Sequence, residues 1–589
     1  MAKRMIPVGI AVLLIVILIG VGLKTGLIDK YSYSDETMDM NEYYQIFRAD
    51  AVPVILGDEV IEDKALVRDG QYYFALDTVK NYLNKRFYYD KTEGLMLYTT
   101  PTELYRIPLE QSDYTVNGMP QSFEQPIAVV SEDTVYLSVL FLKQYANFTY
   151  EVYHEPDRIQ VYLESDTVQT AQIKKDTALR YQGGVKSDVL KQLRQGETVV
   201  VLEKMEKWSK VKSSDSIIGY VENKRLTDEG TLERTVEQTY AEPEYTSIHK
   251  EGKVNMVWHQ VTNATANGNV LELLAPTKGV NVISPTWFYL NSDDGQVVSI
   301  ADHDYVAAMH ERGIEVWALV DNFTSKEFST KTVLASTTSR TNVIDQLISL
   351  AQEYDLDGIN VDFEQIDTES GEDYIQFLRE LSIKCREKQL VLSVDNYVPT
   401  GYTAHYDRKE QGIVVDYVVI MGYDEHYSGS EEAGSVASIN YVEQGIKDTV
   451  SDVPEQKVIN GLPFYTRIWD VTGTVSSEAV GMQKAADFLN QYGVTATWDD
   501  ETCQNFAEFS TEDCNYMVWL EDAQSIRTKL NVMKQYNLGG VAGWKLGLET
   551  PDIWDLIQEY LNSTPSDTES MDAIGEPVDT ASEPEESAQ

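Results

Sequence analysis

Residues 356–365 read LDGINVDFEQ, a stretch in which apolar residues alternate with acidic or amide residues. Side chains of a strand point to opposite faces in turn, so Asn360, Asp362 and Glu364 share one face and the apolar residues between them share the other. Buried carboxylates are costly unless they are paired or used. The alternation therefore predicts a strand with a functional acidic face, and buried ion pairing is the alternative. Asp357 has the opposite parity, which favours a structural role at the strand entrance.

The rest of residues 251–563 repeats an alternation of short apolar segments and helical patterns. Helical periodicity is clear in 340–355 and 371–388. Eight strand-like segments in about 300 residues, with helices between them, predict a (β/α)8 TIM barrel. The segments are VNMVWHQV, GVNVISPTWFYL, GIEVWALV, LDGINVDFE, LVLSVDNYVP, DYVVIMGYDEHY, KVINGLPFYTRIW and GGVAGWKLG. An insertion at roughly 470–515 is predicted to add hairpins or a small lobe beside the site.

Composition limits the classes of partner. The chain carries 48 basic and 95 acidic residues, a net charge of −47, which argues against nucleic acid or an anionic membrane surface. Three cysteines, Cys385, Cys503 and Cys514, exclude a disulfide scaffold, although a Cys503–Cys514 bridge stays open. The seven histidines form no cluster, so we expect neither a metal site nor a cofactor.

The N-terminus carries an uncharged run, MIPVGIAVLLIVILIGVGL at 5–23, preceded by Lys3 and Arg4. Its length matches a bilayer, and the basic residues ahead of it favour a cytoplasmic N-terminus. We expect residues 1–30 to be a single-pass anchor, with the rest of the chain on the cell-wall side. A cleaved signal peptide is the alternative, but no A-x-A-like site follows the run.

Residues 49–165 contain two related units. YFALDTVKNY at 73–82 aligns with YLSVLFLKQY at 136–145, and each is followed by an aromatic, strand-like stretch. This α+β arrangement resembles the tandem copper amine oxidase N-terminal-like repeats of Gram-positive surface proteins. His154 is the only histidine there, so the name implies no copper. Such repeats serve as a spacer or as a wall-contacting module.

Residues 170–228 alternate strands and turns and resemble a bacterial SH3-like β-barrel, which either binds cell-wall peptides or acts as a spacer. We predict a linker at 229–250, which is polar and aperiodic. The tail at 564–589 has no basic residue and little apolar content, which predicts disorder.

The barrel segment resembles glycoside hydrolase family 18, which includes chitinases and spore-cortex or cell-wall N-acetylglucosaminidases. DGINVDFE matches the family signature DxxDxDxE, and Met421-Gly422-Tyr423-Asp424 resembles its sixth-strand MxYD. GLPFYTRIW at 461–469 and Trp544 match its seventh and eighth strands. One departure is Asn360, where many members carry Asp, and it weakens any proton relay below Asp362. Thr466, where a glycine often stands, is a smaller one.

The resemblance implies a retaining mechanism in which the substrate's own 2-acetamido group is the nucleophile. It makes Glu364 the general acid and then base, while Asp362 orients the acetamide and Tyr423 donates its hydroxyl to it. A carboxylate at Asp362 should also raise the pKa of Glu364. The remaining candidates bind substrate: Trp544 stacks on the sugar, and the others are Met421, Asp424, Tyr465 and Asn360. Core packing explains Met421 equally well.

The expected function follows from this site. A nucleophilic acetamide requires an N-acetylhexosamine, so we expect hydrolysis of β-1,4 bonds next to N-acetylglucosamine in peptidoglycan or a chitin-like polymer. The expected location is the outer face of the cell membrane of a Gram-positive bacterium. The alternative is a non-catalytic glycan-binding or cell-wall scaffolding protein.

Overall fold

The computed structural model describes residues 11–12, 14–19, 21, 32–227 and 230–563. These residues form two compact units. The first runs to Glu242 and the second from Pro243, and residues 90–93 and 99–104 group with the second. The predicted anchor lies largely outside the described residues, and the predicted tail lies entirely outside them. Among the helices that are described, none combines the length and the apolarity needed to cross a membrane.

In the first half of the N-terminal unit, each of the two related segments forms a strand followed by a helix, as predicted. Strands Gln71–Ala75 and Thr134–Ser138 lead into helices Leu76–Tyr82 and Val139–Leu142, and the two strands pair with each other in antiparallel fashion. Five further strands complete the same sheet: Ala51–Leu56, Glu59–Arg68, Ala128–Ser131, Thr149–Tyr153 and Arg158–Tyr162. A second sheet contains Phe87–Asp90, Leu95–Thr99, Leu104–Pro108, Asp113–Val116 and Met119–Ser122, and a short helix, Met40–Tyr44, precedes both.

The second half of this unit is the predicted small β-structure. Its strands are Asp166–Gln172, Thr177–Arg180, Val189–Leu193, Thr198–Lys204, Trp208–Lys212, Ile218–Glu222 and Gly230–Arg234. The last strand, Gly230–Arg234, lies inside the linker predicted at 229–250, so that prediction is wrong for these residues. Gly230–Arg234 pairs with Asp166–Gln172, and its polar sequence escaped notice because four of its five residues are exposed at the sheet edge.

The second unit contains the predicted barrel. Eight parallel strands pair in chain order and close because the first pairs with both the second and the last. They are β1 Val254–His259, β2 Val282–Leu290, β3 Glu315–Asp321, β4 Gly358–Asp362, β5 Val391–Tyr397, β6 Tyr417–Met421, β7 Val458–Pro463 and β8 Gly540–Trp544. A short strand, Val297–Ser299, pairs antiparallel with β2. Every residue of β4 and β6 is buried, as expected for parallel strands covered on both faces.

Helices cover the outside of the barrel. They are Val270–Leu274, His303–His310, Thr330–Ala335, Thr337–Glu353, Gly371–Lys388, Arg408–Val414, Ile439–Val450, Ala523–Gln535 and Ile553–Leu561. The helix predicted at 371–388 has those bounds. It ends at Gln389 in the left-handed conformation, a common helix terminus.

The insertion between β7 and β8 is a lobe with its own core. Its five strands form one sheet and its helix is Met482–Gln491. The strands are Tyr465–Asp470, Ser476–Gly481, Thr497–Asp499, Gln504–Ser510 and Asn515–Leu520. Ile468, Val480 and Val518 are buried in a cluster separate from the barrel core. The structure thus contains the small lobe predicted at roughly 470–515, extended at its ends by the strands Tyr465–Asp470 and Asn515–Leu520.

Candidate active site

A cavity of about 420 Å³ opens at the carboxyl ends of the barrel strands. This is the end at which TIM barrels place their chemistry. Six of the eight residues predicted for the site line it: Asp362, Glu364, Met421, Tyr423, Asp424 and Trp544. Tyr465 lies behind them, and its hydroxyl donates a hydrogen bond to Asp424 Oδ1 at 2.5 Å. Asn360 is fully buried and bonds to Asp395, another residue of the cavity wall.

Strand β4 points its acidic face into the barrel, as the alternation predicts. On the opposite face Phe363 stacks on Phe377 of the helix Gly371–Lys388, with ring centroids 5.3 Å apart. Asn322 then fixes the chain at Glu364: its side-chain amide donates to the Glu364 carbonyl at 2.8 Å, and its Oδ1 accepts from the Glu364 N–H at 2.8 Å. Asp357 lies at the strand entrance, where it accepts hydrogen bonds from the Val316 N–H and from His310.

The surroundings of the Glu364 carboxyl group raise its pKa, which favours the protonated form. Burial raises its pKa, a hydrogen bond from the Tyr397 hydroxyl to Oε2 at 2.7 Å lowers it, and the charges of Asp424 and Asp321 raise it again. The direction of this shift was predicted, but its cause was assigned to Asp362. Deep burial raises the pKa of Asp362 itself well above its usual range, which favours the protonated form of this carboxyl group.

Asp362 is a buried group with unsatisfied hydrogen-bonding capacity. It is 6% exposed, and its Oδ1 has no hydrogen-bond partner within the described part of the chain. After burial, the charges of Asp395, Glu364 and Asp321 contribute to its raised pKa. Buried polar atoms are normally paired, so this oxygen is available to a bound molecule.

The aromatic side of the cavity is built from three strands. Trp258 of β1 is buried and packs edge-to-face on Trp544 of β8, with ring centroids 5.9 Å apart. Tyr423, just after β6, lies edge-on to Trp258 at 6.4 Å. The half-buried Trp544 presents an apolar surface of the kind that sugar rings stack on.

Close packing positions the segment after β6. A Cβ added at Gly422 would lie 2.8 Å from the Gly461 carbonyl oxygen and 2.9 Å from Asn460 Oδ1. Only a glycine lets the backbone pass this close to β7. Met421 and Tyr423 are consequently placed on the cavity wall.

Four residues of the site were missed by sequence reasoning: Trp258, Asp321, Asp395 and Tyr397. All four line the cavity, and each comes from a strand other than β4. The available signal was position, since Asp321 and Tyr397 are the last residues of β3 and β5. Asp395 lies two residues before Tyr397 and so shares its face.

The described residues contain no group of three or more His, Cys, Asp or Glu side chains suited to hold a metal ion. Cys503 and Cys514 are both free thiols in this structure, as is the buried Cys385.

Comparison with known families gives two matches. The model of glycosyl hydrolases family 18 matches residues 254–549, which is half of the chain and spans the whole barrel. The model of the bacterial SH3 domain matches residues 175–227, within the segment predicted to be SH3-like.

Three curated proteins of Bacillus subtilis are similar to the chain over the barrel region. The first, named as a sporulation-specific glycosylase, YdhD, is 31% identical over 42% of this chain and 62% of its own length. The second, the glycosylase YvbX, is 27% identical over 48% of this chain and 84% of its own length. The third, a cortical fragment-lytic enzyme, is 29% identical over 41% of this chain and 59% of its own length. The chain thus spans less than two thirds of the first and third.

Proposed function

The chain belongs to glycosyl hydrolases family 18, a family of glycoside hydrolases, and from this premise we propose that it cleaves β-1,4 bonds next to N-acetylglucosamine in peptidoglycan. The observation that carries the proposal is the position of Glu364. This acid lines the cavity, its pKa is raised by burial, and aromatic rings suited to a sugar line the same cavity.

Glu364 supplies the proton in the first step. Tyr397 occupies Oε2, so Oε1 is the oxygen that faces the glycosidic bond. Because its pKa is raised, Glu364 stays protonated closer to neutral pH than an ordinary glutamate. As the bond from the anomeric carbon to the leaving oxygen breaks, the proton passes to that oxygen.

The acetamide of the bound sugar supplies the nucleophile. Its carbonyl oxygen bonds to the anomeric carbon, and Tyr423 donates a hydrogen bond to the same oxygen to hold it in line. The unpartnered Oδ1 of Asp362 accepts the acetamide N–H, which gains positive character in the cyclic intermediate. Water then attacks the anomeric carbon as the bond to the acetamide oxygen breaks, Glu364 takes a proton from the water, and the configuration is retained.

Three observations support peptidoglycan as the polymer. The relatives include a cortical fragment-lytic enzyme, the chain carries an SH3 domain, and the run at 5–23 is suited to anchoring the chain with its barrel on the cell-wall side. The acetamide subsite itself accepts the same sugar from chitin. Peptidoglycan is therefore proposed from the accompanying domains and not from the cavity.

The test compares hydrolysis by wild type, Glu364→Gln and a matched control, Glu353→Gln, on purified peptidoglycan and on N-acetylglucosamine oligomers. Glu353 is exposed at the end of the helix Thr337–Glu353. We expect Glu364→Gln to lower kcat by about 10²–10⁴-fold because the general acid is lost, and the control to match wild type.

Mass spectrometry of the released fragments identifies the bond that is cut. Fragments ending in reducing N-acetylglucosamine support the proposal. If wild type and Glu364→Gln are both inert while both sediment with the glycan, the protein is a glycan-binding protein and the proposal is wrong.

A further inference from the structure

The orientation of the Asn360 side chain is fixed by its neighbours. The Trp258 indole N–H and the Ser284 hydroxyl donate to Oδ1, at 3.1 and 3.0 Å. An indole nitrogen can only donate, so the oxygen of the amide must face Trp258 and its NH₂ must face the other side. That NH₂ donates to Ser393 Oγ at 3.0 Å and to Asp395 Oδ1 at 2.8 Å.

Asp395 is therefore the carboxylate that Asn360 holds. It lies on β5, is 2% exposed and lines the same cavity as Asp362. Burial raises its pKa to about 7, although the hydrogen bond from Asn360 lowers it, and the charge of Glu364 raises it. Asp362 is its neighbour across the sheet: Val361 of β4 pairs with Val394 of β5, and the next residues of the two strands are Asp362 and Asp395. Burial and then the charge of Asp395 raise the pKa of Asp362.

The groups around Asp362 and Asp395 disfavour a negative charge on both carboxylates at once. The charges of Glu364, just after β4, and Asp321, at the end of β3, act on Asp362, and the charge of Asp424 acts on Glu364. Tyr423 follows β6, and Tyr374 lies on the helix Gly371–Lys388. Burial raises the pKa of each hydroxyl, and the charge of Asp395 raises it further. Burial raises the pKa of Asp321 and of Glu364, and the positive charge of Lys326 lowers both.

We infer that Asp395 is the partner carboxylate of Asp362, and that the two hold one proton between them in the resting enzyme. Two buried carboxylates that share a site titrate as a pair, and the singly protonated state spans a wide pH range. The acidic group expected at position 360 is thereby supplied from the neighbouring strand, with Asn360 positioning it.

The pair gives the proton of Asp362 a defined destination. When positive charge develops on the substrate acetamide, the proton passes to Asp395 and leaves Asp362 ionised beneath that charge. When water opens the intermediate, the proton returns to Asp362. No proton is gained or lost by the pair over the cycle, and Asp395 acts as a positioning residue because it works through Asp362.

This inference deepens the proposed function and rests on it, so its test combines kinetics with a direct titration. The kinetic variants of the full chain are Asp395→Asn and the double variant Asn360→Asp/Asp395→Asn. The double variant exchanges donor and acceptor across the same hydrogen bond and moves the carboxylate to position 360. Ser393→Ala is the matched control, since it removes a bond to Asn360 without changing charge.

We expect Asp395→Asn to lower kcat by about 10–100-fold with KM changed less than about threefold, since the proton of Asp362 loses its acceptor. The acidic limb of the kcat profile should move to higher pH, because Asp362 must ionise to act and then titrates alone, while Glu364 continues to set the basic limb. The double variant should recover about tenfold in kcat and return the acidic limb toward wild type. Ser393→Ala should leave the limb in place.

The direct readout is the carboxyl ¹³C resonance of labelled aspartate, followed from pH 4 to pH 9 in wild type and Asp395→Asn. Two coupled steps in wild type that become one in the variant support the shared proton, even if no substrate is turned over and the proposed hydrolysis fails. Independent single steps for Asp362 and Asp395, or a folded double variant with no recovery in an active enzyme, would overturn the inference.

Discussion

Glu364 lies between two neighbours that act on its pKa in opposite directions. The hydrogen bond from Tyr397 stabilises the ionised carboxylate and lowers the pKa, while the charge of Asp424 raises it. A general acid works only while protonated, so activity is lost as pH rises through this pKa. We expect Tyr397→Phe to move the basic limb of kcat/KM to higher pH and Asp424→Asn to move it to lower pH, each by about half a unit or more.

The measurement is the pH profile of both variants on an activated N-acetylglucosamine substrate. The readout is the pH at which kcat/KM falls to half of its maximum. The maximum itself will also decrease, because both residues line the cavity. Shifts of both variants in the same direction would show that a group other than Glu364 governs the basic limb.

At this scale the alternation reveals one strand of the site, and the family resemblance adds Met421, Tyr423, Asp424 and Trp544 from the ends of β6 and β8. Asn360, Asp362 and Glu364 are predictable because a period of two places them on one face; in the structure Asp362 and Glu364 line the cavity, and Asn360 is buried and bonds to Asp395. Asp395 and Asp321 lie on neighbouring strands, and only the closed sheet shows which strands are neighbours. Burial also raises the pKa of Asp362 well above its usual range, which spacing alone cannot indicate.

The lobe between β7 and β8 has its own hydrophobic core and also contacts the wall of the cavity. Its first strand begins at Tyr465, whose hydroxyl bonds Asp424 on the cavity wall. Val518 belongs to the core of the lobe, while Val419 of β6 is equally buried in the barrel. We expect either residue's change to Ala to cost about 2 kcal/mol, in different parts of the molecule.

Hydrogen exchange followed by mass spectrometry separates the two variants. Val518→Ala should lower protection in the lobe strands and leave β4–β6 protected, because the two cores are separate and local opening follows local packing. Val419→Ala should lower protection across the barrel. Equal loss in both regions for Val518→Ala would mean that lobe and barrel unfold as one cooperative unit.

Element boundaries were predictable where burial dictates the pattern. The helix Gly371–Lys388 and the eight barrel strands follow from apolar periodicity. Gly230–Arg234 does not, since an exposed edge strand gains its stability from backbone pairing with Asp166–Gln172 and carries no apolar alternation.

The whole molecule carries a net charge of −47, and the polymer proposed as its substrate carries free peptide carboxylates. Like charges slow the encounter of an enzyme with its substrate, and salt screens them: the Debye length falls from about 30 Å at 0.01 M to about 8 Å at 0.15 M. We therefore expect kcat/KM on soluble peptidoglycan fragments to rise about two- to tenfold over this range.

Two substrates serve as controls for this salt dependence. Neutral N-acetylglucosamine oligomers, and peptidoglycan fragments whose carboxylates have been amidated, should give a kcat/KM that does not change with salt, because neither repels the chain. A kcat/KM on native fragments that falls with salt would mean that basic residues near the cavity attract the polymer, and that local charge outweighs the net charge. Since long-range repulsion acts on association, the rise should appear in kcat/KM and leave kcat unchanged.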